Sequence, residues 1–181
     1  MTGTSGGNSA NAEIDGELIR TADGGSIIAF DRKVMRPVEK VWAALTEPER
    51  IADWMGRATI DLRVGGRFRL DFHQSDDDPN GYIEGVITAL DPPSLLEHTW
   101  ADPVGGISRV RWELRAEGNA CRLRFRHTFQ PDAKDLIGML SGWHDFLNMI
   151  PSATDGVRAE WGAGWRQIDA AYRLKFSGLG R

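Results

Sequence analysis

Four histidines and one cysteine are the side chains here best suited to chemistry near neutral pH. His98 lies in the string Leu96-Glu97-His98-Thr99-Trp100, on the same alternating face as Leu96 and Trp100. An imidazole there could orient a ligand or move a proton. It could equally be a histidine hydrogen-bonded inside a core. His127 has the same two readings, because it sits on the apolar face formed by Cys121, Leu123, Phe125 and Phe129. His144 follows Trp143 in a helical stretch and is turned about 100° from it. His73 falls on a polar face and reads as solvated. Zinc can be held by three histidines, but none here stands at i, i+4 spacing or within an HExxH string, so no metal site is expected. Cys121 starts its strand on the apolar side and reads as a buried, inert thiol. There is no GxSxG nucleophile string, and Gly65-Gly66 lacks the partners of a phosphate loop. Asp76-Asp77-Asp78 lacks the spacing and terminal glutamate of an EF-hand loop. No cofactor is expected.

These residues must be held by regular elements, and the chain supplies them in a definite order. Ser26 to Met35 reads as a strand after the Gly24-Gly25 turn. Pro37 then opens a helix carrying Val38, Val41, Trp42 and Leu45 on one face. Thr46-Glu47-Pro48-Glu49 has the form of a capping box for a second short helix bearing Ile51, Trp54 and Met55, which Gly56 ends. A series of alternating segments follows. Phe68, Leu70 and Phe72 make the first, and Tyr82 to Leu90 the second. The third runs through Leu96, His98 and Trp100, the fourth through Val110, Trp112 and Leu114, and the fifth from Cys121 to Phe129. Short turns at Gln74–Asn80, Asp91-Pro92-Pro93, Asp102–Gly106 and Gly118-Asn119 join them, so an antiparallel meander is the economical topology. From Pro131-Asp132 a helix presents Leu136, Leu140, Trp143, Leu147 and Ile150 on one seam, widened by Met139 and Phe146, and Pro151 stops it. Trp161, Trp165, Ile168, Tyr172 and Phe176 form a last helical face. The fold class is α+β, a bent antiparallel sheet of five or more strands wrapped around a C-terminal helix.

The chain's 181 residues suit one domain. Residues 1–15 are small and polar and read as a mobile leader, with a single domain over 16–178. A chain of that size buries about 68–70% of its unfolded surface, enough to enclose a small cavity. The net charge of −4 argues against non-specific nucleic-acid binding. Arg109, Arg111 and Arg115 on one strand and Arg122, Arg124 and Arg126 on the next form a basic outer face, read as solvated and balanced by neighbouring acids. One cysteine excludes an internal disulfide. No apolar run approaches the ~18 residues of a membrane helix, and no secretory signal pattern opens the chain. A cytoplasmic location is the default expectation.

Several strings, in their order, resemble a known family. They are Pro37-Val38-Glu39-Lys40-Val41-Trp42-Ala43-Ala44-Leu45-Thr46, Ile51-Ala52-Asp53-Trp54 and Val64-Gly65-Gly66-Arg67-Phe68. Gly85 with Asp91-Pro92-Pro93, Leu96 to Trp100, and Gly142-Trp143-His144-Asp145-Phe146-Leu147 complete them. The chain resembles the bacterial proteins named for homology to the activator of heat-shock-protein-90 ATPase, of the START-like superfamily that also holds the birch-pollen allergen and polyketide cyclases. The resemblance spans roughly residues 26–176. It implies a helix-grip fold, with a cavity between sheet and helix that the superfamily uses for apolar molecules. The eukaryotic activator needs a further N-terminal domain for full co-chaperone activity, so a chaperone interaction is not the favoured expectation.

Placed on that fold, the residues expected to line the cavity are Phe68, Leu70, Phe72, His98, Trp100, Trp112, Phe125, His127, Met139, Leu140 and Trp143. His144 would lie along its edge. The leading expectation is a noncatalytic protein that binds an apolar or amphipathic small molecule. The alternatives are a cyclase, aromatase or hydrolase using His98 or His127 as acid/base, and a protein-interaction module. Oligomeric state is open, with a homodimer among the possibilities.

Overall fold

Alternation along the middle of the chain produces an eight-stranded, wholly antiparallel sheet. The computed structural model describes residues 14–72, 81–102, 106–160, 162 and 164–177. The strands are β1 (Glu17–Arg20), β2 (Ser26–Val34), β3 (Gly56–Ile60), β4 (Arg67–Phe72), β5 (Tyr82–Asp91), β6 (Leu95–Asp102), β7 (Gly106–Glu117) and β8 (Ala120–Phe129). Their spatial order is β1-β2-β8-β7-β6-β5-β4-β3. The run from β3 to β8 is thus a meander, as the short turns require. β2 closes it from the far side by lying against β8, with Phe30 opposite Phe125 and Ile28 opposite His127.

Helices α1 (Val38–Thr46) and α2 (Pro48–Ile51) bridge β2 and β3. Helix α3 (Leu136–Thr154) lies on the concave sheet face, burying Leu136, Leu140, Trp143, Leu147 and Ile150. Helix α4 (Trp165–Lys175) packs on α3 through Ile168 and Tyr172. The core is the layer between them, where Ile28, Leu70, Val110, Leu123, Phe125 and Leu140 are fully buried. The architecture is the α+β helix-grip fold.

Three local expectations are corrected. Thr46 does not cap α2: its hydroxyl donates to the Trp42 carbonyl at 2.8 Å, and α2 has no side-chain cap. The reason is that Glu47 is both the C-cap of α1 and the N-cap of α2, so the two helices share one boundary residue. Pro151 does not stop α3, which continues to Thr154. Only one helical amide is lost there, and the last turn is tied by the Thr154 hydroxyl to the Pro151 carbonyl at 2.6 Å. Gly56 is not a helix terminator but the first residue of β3, where a side chain would strike the Asp71 carbonyl oxygen at 2.1 Å. Five of the six outer-face arginines are balanced by neighbouring acids: Asp31 pairs with Arg122 and Arg124, Glu97 with Arg109 and Arg111, and Glu117 with Arg115.

Candidate functional site

A groove of about 340 Å³ opens where the first turns of α3 cross the ends of β4 and β6. Phe72 and Trp100 line it from the sheet, and Met139, Trp143 and Phe146 from the helix. The four aromatic rings touch in a closed circuit. Phe72 and Trp100 have centroids 5.9 Å apart, Trp100 and Trp143 5.1 Å, Trp143 and Phe146 6.2 Å, and Phe146 and Phe72 6.1 Å. Gly138 and Gly142, one helical turn apart, put bare backbone against the same space, and Lys134 and Asp135 stand at its rim. Asp135 is the N-cap of α3 and accepts from the Gly138 amide. A second cleft of about 480 Å³ shares Trp100, Lys134 and Met139 and is also lined by Ser108, Phe129 and Asp132. Of the shared residues Met139 is an adaptable apolar wall.

The inward histidines are deeply placed. His98 and His127 flank Val110 on the inner face. His98 stacks on Phe68 with centroids 3.9 Å apart, and its Nδ1 lies 2.9 Å from the Thr99 carbonyl, so that nitrogen carries the hydrogen. Burial lowers its pKa to about 4. His127 Nδ1 accepts from the Trp143 indole N–H at 2.9 Å. Its Nε2 lies 2.6 Å from Ser108 Oγ, and the serine hydroxyl is 3.2 Å from the Trp100 carbonyl. An indole can only donate, so His127 is neutral and its Nε2–H donates to Ser108, which donates onward to Trp100. Burial first, and the neighbouring His98 second, hold the His127 pKa well below its ordinary value.

His144 belongs to a different cluster, between α3, α4 and the segment Asp15-Gly16. The Tyr172 hydroxyl accepts from the Gly16 amide at 2.7 Å and stands 2.9 Å from His144 Nδ1, to which it donates. Asp15 Oδ1 lies 3.4 Å from the same nitrogen, but burial, aided by the Arg32 charge, lowers the His144 pKa to about 4 and keeps the ring neutral. Burial alone would raise the Asp15 pKa, and Arg32, hydrogen-bonded to both carboxylate oxygens, holds it below the usual range. A Cβ on Gly16 would lie 2.4 Å from the Tyr172 hydroxyl and 2.6 Å from Phe30 Cζ, so any larger residue must push these side chains apart.

Of the residues expected to face a cavity, Phe72, Trp100, Met139 and Trp143 meet at the groove. Phe68, Leu70, His98, Trp112, Phe125, His127 and Leu140 lie in the buried interior, Trp112 and Phe125 against Trp143 at 5.7 and 4.3 Å. Cys121 is buried, which raises its thiol pKa. His73, Trp161, the Gln74–Asn80 turn and part of the Asp102–Gly106 turn lie outside the described residues. Among the described residues no three His, Cys, Asp or Glu side chains are grouped to hold a metal, and no helix is long and apolar enough to cross a membrane. Sequence reasoning missed Phe146, Gly138, Gly142, Lys134, Asp135 and Ser108 as lining residues. The glycine pair had a signal: two helix-weakening residues at i, i+4 inside a strongly patterned helix.

An antiparallel sheet gripping a long helix is the START-like helix-grip fold. Residues 36–155 match the model of the Activator of Hsp90 ATPase homolog 1-like protein family, and the chain belongs to that family. Among curated proteins no relative matches. Solved structures share the fold. CalU16 from Micromonospora echinospora is 24% identical with a TM-score of 0.71, over 91% of this chain and 96% of that one. EF2215 from Enterococcus faecalis, a conserved protein of unknown function, is 18% identical with a TM-score of 0.73, over 92% of each chain. Protein MLL2253 from Mesorhizobium loti is 27% identical with a TM-score of 0.62, over 71% of this chain and 96% of that one.

Proposed function

We propose that the protein binds an apolar or amphipathic small molecule of aromatic type in the groove between α3 and the ends of β4 and β6, without transforming it. The observation that carries this reading is the circuit of Phe72, Trp100, Trp143 and Phe146 bordering about 340 Å³ of open space. That volume is at the lower end of the ~300–1,000 Å³ range of small-molecule sites, and such sites are mostly apolar with few polar groups. Lys134 at the rim would meet the polar end of an amphipathic ligand. The acid/base alternative is weaker on the same geometry. Both nitrogens of His127 are engaged by Trp143 and Ser108, and His98 lies under the Phe68 ring. Nothing in the groove favours a chaperone partner.

Native mass spectrometry of the freshly purified chain, compared with its denatured mass, is the first test, and an excess mass of a few hundred daltons is expected. Titration of the emptied protein with N-phenyl-1-naphthylamine, followed by the rise in the probe's own fluorescence, is the second. Absence of both an excess mass and saturable binding would overturn the proposal.

A further inference from the structure

Helix α3 contains two glycines in its first two turns, and only one has a local reason to be glycine. A Cβ on Gly138 would meet the capping Asp135 carboxylate, with Oδ2 at 2.3 Å and Cγ at 2.8 Å. Gly142 is different. A Cβ built there meets nothing within 4 Å among the described residues, and its backbone is ordinary helix within α3, Leu136–Thr154. Glycine is the poorest helix former after proline, so a mid-helix glycine with no steric or backbone requirement weakens the helix without local benefit. What its missing side chain leaves is space, and that space is the aromatic groove. A helix without a Cβ also lets a flat group lie directly against the backbone, a recurrent use of glycine at ligand sites.

We propose that Gly142 sets the size and shape of what the groove accepts, and that its ligand is a flat, fused-ring aromatic molecule lying against the α3 backbone at Gly142 and facing Trp100 and Phe72. This inference rests on the binding function proposed above and deepens it by naming a ligand class and a specificity-determining residue. Any side chain at position 142 projects into the groove from the helix side. Alanine narrows it, and leucine occupies the place of a ring. The first carbon of either side chain has open space, since a Cβ there meets nothing within 4 Å among the described residues.

The test compares the full chain with its Gly142→Ala and Gly142→Leu variants, each titrated with N-phenyl-1-naphthylamine and each melted thermally. Gly142→Ala is expected to raise Tm by about 2–4 °C, because a helix-weakening residue is removed at no steric cost. Gly142→Leu is expected to bind the probe about tenfold more weakly or worse, since its side chain takes up the space of a ring. Gly142→Ala should fall between the two. Two results overturn the inference. One is probe binding within about twofold of the parent in Gly142→Leu, which would place the ligand elsewhere. The other is a fall in Tm for both variants, which would show the space at position 142 to be occupied. If the parent chain itself binds no probe, the proposed binding function fails first, an outcome that the parent titration alone identifies.

Discussion

The buried histidines make a quantitative claim about acid stability. His98 has a folded pKa of about 4 because burial disfavours its charged form, against about 6.5 in the unfolded chain. A base whose folded pKa is depressed stays neutral when folded and takes up a proton on unfolding. Its contribution is therefore intact above pH ~6.5 and is lost as pH falls toward the folded value. For His98 alone this amounts to about 2 kcal/mol between pH 7 and pH 5, and about 3 kcal/mol once pH 4 is reached. His127 is shifted in the same direction, so proton uptake on unfolding should approach two over this window, with His144 adding to it. Asp145 opposes the trend, since burial raises its pKa and the folded state binds its proton first. Carboxylates held low by arginines, such as Asp31 and Asp71, act mainly below pH ~5 and stay out of the comparison. The assay is urea unfolding at fixed steps between about pH 7.5 and 5, on the parent chain and on His98→Phe, which keeps a ring on Phe68 but cannot titrate. The variant should show about one proton less in the slope of stability against pH, whatever its absolute stability. A parent chain equally stable at pH 7 and pH 5, or identical slopes in the two proteins, would refute the assignment of His98 as neutral and buried.

Other outcomes follow from named contacts. Trp143→Phe leaves His127 Nδ1 without its donor and should lower stability by at least about 1–3 kcal/mol in urea unfolding, whereas an unchanged midpoint would remove that bond from the account. Gly16→Ala puts a methyl carbon 2.4 Å from the Tyr172 hydroxyl and 2.7 Å from Leu140 Cδ1, and overpacking of about 1–3 kcal/mol is expected from thermal or urea unfolding. Lys134→Glu should weaken binding of the anionic probe 1-anilinonaphthalene-8-sulfonate about two- to fivefold relative to the neutral N-phenyl-1-naphthylamine. Equal changes for both probes would place Lys134 away from the polar end of the ligand.

The parts of the fold legible in the sequence were those where one face is buried along a whole element. β8 alternates Cys121, Leu123, Phe125, His127 and Phe129 against arginines and a threonine, and each inward residue is buried. The seam of α3 was readable for the same reason. Features set by one-residue boundaries were not. Sharing of Glu47 between two helices cannot be read from a capping pattern, because Thr46 at the α1 end still finds a helical carbonyl to bond. β3 was missed because an edge strand of five residues buries only Gly56 and Ala58, too few for a periodic signal. The clasp was illegible for another reason. Asp15 is tied to Arg32 and Gly16 to Tyr172 only by contacts across long stretches of chain. The groove lay between these cases: its aromatic residues were each assigned to an inward face, but nothing in a linear pattern says which of them pack and which border a space.

That division bears on how a ligand would be selected. No buried side-chain nitrogen or oxygen among the described residues lacks a partner, and the inward polar groups bond one another or the backbone. A molecule entering the groove would therefore meet aromatic faces, the Met139 thioether and bare helix at Gly138 and Gly142, with Lys134 and Asp135 only at the edge. Sites that read hydrogen bonds reject the wrong partner by large factors because a buried group is left unpaired, while apolar sites distinguish one methylene by only about 1–3 kcal/mol. Recognition here would follow size and flatness, with homologous ring systems bound in a graded series. On this argument the residue that decides selectivity is the one that fixes the available space, and among the residues bordering the groove Gly142 is a position where an added methyl group finds nothing within 4 Å among the described residues.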